Sequence, residues 1–179
     1  MTNTYDIQKF LESGKKVEDR FALYLEKWGN VNHASKDEDI NEHWDLRLDP
    51  EDPYCPFIKP YYGFYLTFDV KGLKSRKRKE DKDESIHYIE FKNVQGNDGW
   101  LYGKATYIVF EKFNCYVVVD RVELVKAMEP FKNEMILDAP RLYFRYNRNN
   151  RGDLTMMVET NFIEEISHLI IKKENKYEI

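Results

Sequence analysis

The stretch Tyr65-Leu66-Thr67-Phe68-Asp69-Val70-Lys71-Gly72-Leu73-Lys74 constrains this chain more than any other. Its first half alternates and is rich in aromatic and β-branched residues, the pattern of a half-buried strand. Side chains two apart on a strand share a face, so Asp69 and Lys71 point the same way while Val70 turns to the other side. A carboxylate and an ammonium side by side at a strand end can hold a divalent cation and polarise water or meet a phosphate oxygen. An ordinary charge pair on a sheet has the same residues. The rest of the chain has to decide between them.

With 179 residues, 42% hydrophobic and 15% aromatic, the chain has the composition of one packed domain. A net charge of −4 gives no overall attraction to nucleic acid, so any such binding has to come from local basic patches. Cys55 and Cys115 lack the spacing of metal ligands and histidine is sparse, which argues against zinc. With no signal peptide and no apolar run of membrane length, the expectation is a cytoplasmic protein with free thiols and no membrane partner.

Asp6 to Glu12 reads as a short helix stopped by Ser13-Gly14, and Lys15 to Trp28 as a second, closed by Gly29. Val17, Phe21, Tyr24, Leu25 and Trp28 form the buried stripe of the second helix. At about 100° per residue, Glu18 falls on the flank of that stripe, with Asp19 and Glu26 further towards solvent. Glu18 is therefore the helix acid best placed to look into the fold, and a solvated flank position is the alternative. Val31 to Ala34 is a strand, Ser35 to Glu42 a polar segment, and His43 to Leu48 a strand with Trp44, Leu46 and Leu48 on one side. Asp45 lies on the other side with His43 and Arg47. Four of the six prolines fall between Asp49 and Tyr62, which predicts a rigid, irregular loop joining two antiparallel strands.

Ile86 to Asn93 is a further strand, and its Glu90-Phe91-Lys92 repeats the acid-x-Lys spacing on what reads as the strand beside Asp69. Val94 to Gly103 is turn-rich and carries no phosphate-loop pattern. Ala105 to Glu111 and Cys115 to Asp120 read as central strands around a tight turn. Asp120 caps a helix from Arg121 to about Met128. A final helix from Asn161 is expected to bury Phe162, Ile166, Leu169 and Ile170. Two basic patches could meet a phosphate backbone. One is the run 74–79 with Lys74 and Arg76; the other is a hairpin carrying Arg141, Arg145, Arg148 and Arg151 among tyrosines, with Arg141 and Arg145 co-facial with Tyr143.

Taken together, Glu18 on a helix, Asp45 on a strand and Asp69-x-Lys71 on the next resemble the PD-(D/E)xK nuclease superfamily, the fold of restriction endonucleases and Holliday-junction resolvases, over roughly residues 14–120. Trp44 stands where a proline often precedes the first acid of that pattern. The resemblance implies an α/β fold, with a mixed central sheet flanked by helices in a single domain. It implies a Mg²⁺- or Mn²⁺-dependent deoxyribonuclease, an endonuclease in preference to an exonuclease, with DNA as partner and a homodimer allowed. Glu18, Asp45 and Asp69 would hold the metal, and Lys71 would orient the attacking water. A second register of the same motif uses Asp69 with Glu90 and Lys92. A non-catalytic nucleic-acid-binding or protein-interaction module on the same fold is the alternative function.

Overall fold

A computed structural model describes residues 4–59, 63–74, 81–147 and 151–173, without the side chains of 4–11 and 13. In chain order the elements are α1 (Thr4–Leu25), β1 (Gly29–His33), α2 (Lys36–Glu42), β2 (Leu46–Pro50), β3 (Leu66–Lys71), β4 (Ile86–Lys92), β5 (Tyr107–Glu111), β6 (Cys115–Asp120), α3 (Arg121–Met128), β7 (Ile136–Leu137), β8 (Arg145–Asn147), β9 (Leu154–Glu159), α4 (Thr160–Glu165) and β10 (Leu169–Lys172). The fold is mixed α/β, as the sequence predicts. One mixed sheet runs in the order β1-β2-β3-β5-β6-β10 and a second in the order β4-β9-β8-β7. The chain divides into two compact units: residues 1–72 with 103–108, and residues 73–102 with 109–179. Among the described residues no helix is long and apolar enough to cross a membrane, and both cysteines are free.

In the first unit α1 is one helix, not two. Gly14 does not stop it: a glycine inside a helix costs only about 1 kcal/mol, and the packing of the following turns outweighs that. Val17, Phe21, Ala22 and Leu25 are buried, while Tyr24 and Trp28 are half-buried and the helix ends at Leu25. Phe21 meets Phe68 edge-on at 5.7 Å, which seats the helix on β3. β1, β2 and β3 form an antiparallel meander, with Val31 opposite Leu48 and Leu46 opposite Phe68. The backbones at the open end of the β1–β2 pair, away from their connection, press together, since a Cβ on Gly29 would lie 2.2 Å from the Asp49 carbonyl oxygen. The polar segment Ser35 to Glu42 is helical. Ser35 and Glu38 form a reciprocal capping box that supplies the missing partners at its N-terminus.

The proline-rich connection is anchored by one ring. Phe57 is fully buried and packs edge-on against Phe68 at 5.2 Å, Tyr107 at 5.9 Å and Tyr24 at 6.5 Å. The Tyr107 hydroxyl donates to the Phe57 carbonyl at 2.7 Å, so loop backbone and core share one partner.

In the second unit β4, β9 and β8 are antiparallel and β7 adds parallel to β8. β4 is therefore not the neighbour of β3 that the sequence suggests. Asp120 caps α3 as expected, accepting from the Val122 and Glu123 amides. The predicted last helix is only α4, which buries Ile163; Phe162 and Ile166 stay half-buried. Leu169-Ile170-Ile171 instead pair with β6 as an antiparallel edge strand. The apolar spacing fits a helix, but the β-branched pair and an available strand edge favour the sheet.

His87 on β4 is buried against Phe110, with ring centroids 4.7 Å apart, and its Nε2 has no hydrogen-bond partner. Burial pushes its pKa down to about 4, helped by Lys112 and opposed by Glu164 and Asp83. Between about pH 6.5 and 4 the unfolded chain takes up a proton that the native imidazole refuses. Stability is thus present above that window and is lost as pH falls through it. His87→Phe should remove the loss, by roughly 3 kcal/mol at the acid end. Melting temperatures of the two proteins from pH 7.5 to 4.5 check this, and parallel curves would exclude it.

Candidate active site

Every residue of the first motif register lies in the first unit. α2 ends at His43, whose left-handed backbone (φ 57°, ψ 58°) turns the chain from helix towards strand within three residues. Asp45 follows and is fixed to β3 twice. Its amide donates to the Phe68 carbonyl at 2.8 Å, and its Oδ2 accepts from the Val70 amide at 2.6 Å. The Leu46–Phe68 register puts Asp45 opposite Asp69 at the next pair.

Asp69 is 2% exposed. The Lys71 ammonium sits 2.5 Å from its Oδ1, while Oδ2 is buried without a hydrogen-bond donor. Burial pushes the Asp69 carboxyl up to about 8; Lys71 pulls it down and Asp45 pushes it up again. Two facing carboxylates are both acceptors and repel one another when both are charged, which is the sense in which Asp45 raises the Asp69 pKa.

Glu18 is half-buried on the flank of α1, where the sequence puts it. Burial raises its pKa first and the Asp45 charge raises it further, with Lys15 opposing. Asp39 on α2 has the same character: burial and then Asp45 raise its pKa, and Lys71 and His43 lower it. The structure thus gathers Glu18, Asp39, Asp45, Asp69 and Lys71 into one electrostatic neighbourhood with Asp45 at its centre. Sequence reasoning missed Asp39 because it read Ser35 to Glu42 only as a polar segment and assigned it no element. The Ser35-x-x-Glu38 capping box was the available signal.

Among the described residues no three of His, Cys, Asp and Glu are arranged to hold a metal ion. Mg²⁺ asks for less, since it keeps several waters and takes one or two carboxylates together with phosphate oxygens. Asp45 and Asp69 fit that smaller requirement, and the unpartnered Oδ2 of Asp69 is the atom a cation would satisfy.

The second register fares differently. Glu90 and Lys92 lie on β4, in the other compact unit. Glu90 pairs with Thr155 and Lys92 with Leu154, so the register shifts between them at a bulge. A bulge breaks the alternation that would put two residues on one face, and Glu90-x-Lys92 does not repeat the Asp69-x-Lys71 geometry.

The arginine hairpin is only partly a hairpin. β8 and β9 pair as predicted, but residues 141–144 are irregular and Tyr143 is left-handed (φ 62°), so Arg141, Tyr143 and Arg145 do not share a strand face. Arg141 lies over the Phe144 ring at 4.8 Å. Arg145 donates to the Glu134 carbonyl at 2.5 Å, holding β8 to the preceding segment. Lys74 and Arg151 are exposed, and Arg76 and Arg148 lie outside the described residues.

No family model, no curated protein and no solved structure matches this chain.

Proposed function

We propose that the protein is a divalent-metal-dependent nuclease acting on DNA, with its active site at Asp45, Asp69 and Lys71. The observation that carries this reading is the pair of facing acids. Asp69 is buried with an oxygen that lacks a donor, and Asp45 is pinned beside it by a backbone amide. A buried acid that faces a second acid, with the Lys71 ammonium on only one of its oxygens, is costly, and carboxyls perturbed in this way cluster at functional sites.

On this reading a bound Mg²⁺ or Mn²⁺ supplies Lewis acidity and a water of lowered pKa. Asp45 and Asp69 would hold such an ion through charged oxygens, which requires the Asp69 carboxyl to be deprotonated. Lys71 then moves its charge from the carboxylate to the attacking water or the scissile phosphate, where negative charge develops. Glu18, half-buried on α1, and Asp39, exposed on α2, would orient water around such an ion.

A second reading, a nucleic-acid-binding module without catalysis, is favoured by the same Lys71. Its ammonium already lies against the carboxyl group that the metal would occupy. Digestion of single-stranded, duplex and branched DNA with Mg²⁺, Mn²⁺ or EDTA separates the two. Metal-dependent products support the nuclease; binding without products supports the module. Lys71→Ala should slow cleavage at least a hundredfold, in the range of one lost transition-state donor, while Lys92→Ala leaves it within about twofold. The opposite order of rates would move the site to Glu90 and Lys92.

A further inference from the structure

Beside the acids, the same two strands carry an aromatic and cationic pair that the proposed chemistry does not use. The Arg47 guanidinium lies over the Tyr65 ring, 4.2 Å from its centroid. Its Nε and Nη2 both donate to Asp49 Oδ1, at 2.9 and 2.7 Å. Asp49 thereby takes one edge of the guanidinium and offsets its charge, while Tyr65 takes a face. Such an arginine is poorly placed to clamp a phosphate and well placed as a layer in a stack.

Tyr65 is 50% exposed and Phe64, next to it, 99%. Arg47 is the register partner of Thr67, which puts Tyr65, Thr67, Asp69 and Lys71 on one face of the strand pair. Four residues along a strand separate Tyr65 from Asp69 by about 13 Å, the reach of a few nucleotides. Bases inside a duplex are stacked on one another and offer no face to a side chain. Those of a single strand do.

We propose that Tyr65, backed by Arg47, seats an unpaired base, so that the preferred ligand is a single-stranded segment or end of DNA. This rests on the nuclease reading for its polarity towards Asp69, but the binding itself does not need cleavage. Phe64, one residue away and 99% exposed, is a control: Phe64→Ala should leave single-strand affinity within about twofold.

The test measures anisotropy of a labelled single-stranded 12-mer and of its duplex in EDTA, with the parent, Tyr65→Ala, Tyr65→Trp and Phe64→Ala. Tyr65 is half outside the fold, so matched melting temperatures check that each variant is intact. The parent should bind the single strand more tightly than the duplex. Tyr65→Ala should weaken single-strand binding about ten- to a hundredfold, with the salt slope and duplex affinity unchanged, and Tyr65→Trp should restore it. Equal affinity of parent and Tyr65→Ala for the single strand overturns the proposal, as does a parent that prefers duplex. A protein that binds through Tyr65 yet cuts nothing with Mg²⁺ or Mn²⁺ keeps the proposal and removes the nuclease. One that cuts, with Tyr65→Ala binding like the parent, does the reverse.

Discussion

Asp69→Asn is expected to bring metal-stimulated cleavage down to background and, separately, to flatten the dependence of stability on pH. The amide keeps the shape of the side chain but offers a cation no charge, so the proposed metal site would lose one of its two anionic ligands. The second effect follows from burial. With its pKa pushed up to about 8, native Asp69 keeps a proton that the unfolded chain releases near pH 4. Between those values the native state holds the extra proton, so the stability the protein enjoys at pH 4 drains away as pH rises towards 8. Asparagine does not titrate. Melting curves in EDTA from pH 4 to 9 should therefore diverge through that window, with the parent falling relative to the variant, and run parallel above it. Cleavage by Asp69→Asn at the parental rate would remove Asp69 from the site, and parallel melting curves throughout would remove the argument from burial. The two outcomes are independent.

Phe57→Ala should be the most destabilising single truncation in the first unit. The ring is fully buried between Tyr24, Phe68 and Tyr107, and losing such a ring costs about 3–5 kcal/mol, or roughly 6–20 °C in Tm for a chain of this size. Tyr54, in the same loop but 86% exposed, is the control: Tyr54→Ala should change stability by no more than about 0.5 kcal/mol. Similar melting temperatures for the two variants would mean that the proline-rich loop is not anchored by Phe57.

The elements legible in the sequence are those where local pattern and tertiary demand agree. β3, β5, β6 and the Asp120-capped helix come straight from apolar runs and turn chemistry. Asp45, Asp69 and Lys71 could be read because strand parity depends only on counting. Asp39 could not, because α2 buries no residue and so shows no apolar stripe. β10 was hidden for the opposite reason, since its apolar residues continue the helical spacing of the segment before it. The bulge between Glu90 and Lys92 leaves no mark on the sequence at all, because a bulge is a property of two strands together.

Tyr107 reaches back fifty residues to close on the Phe57 carbonyl, and its ring stacks on Phe68 at 5.5 Å. A ribosome making this chain therefore finishes residue 72 long before the first unit has its last wall. At roughly 5–20 residues per second, the thirty-five residues up to Tyr107 take about 2–7 s, many times longer than a helix or hairpin needs to form. During that interval Phe57 and Phe68 lack the Tyr107 ring that packs against both. The unit that carries the acids is thus completed only after residues 73–102 of the second unit have been made.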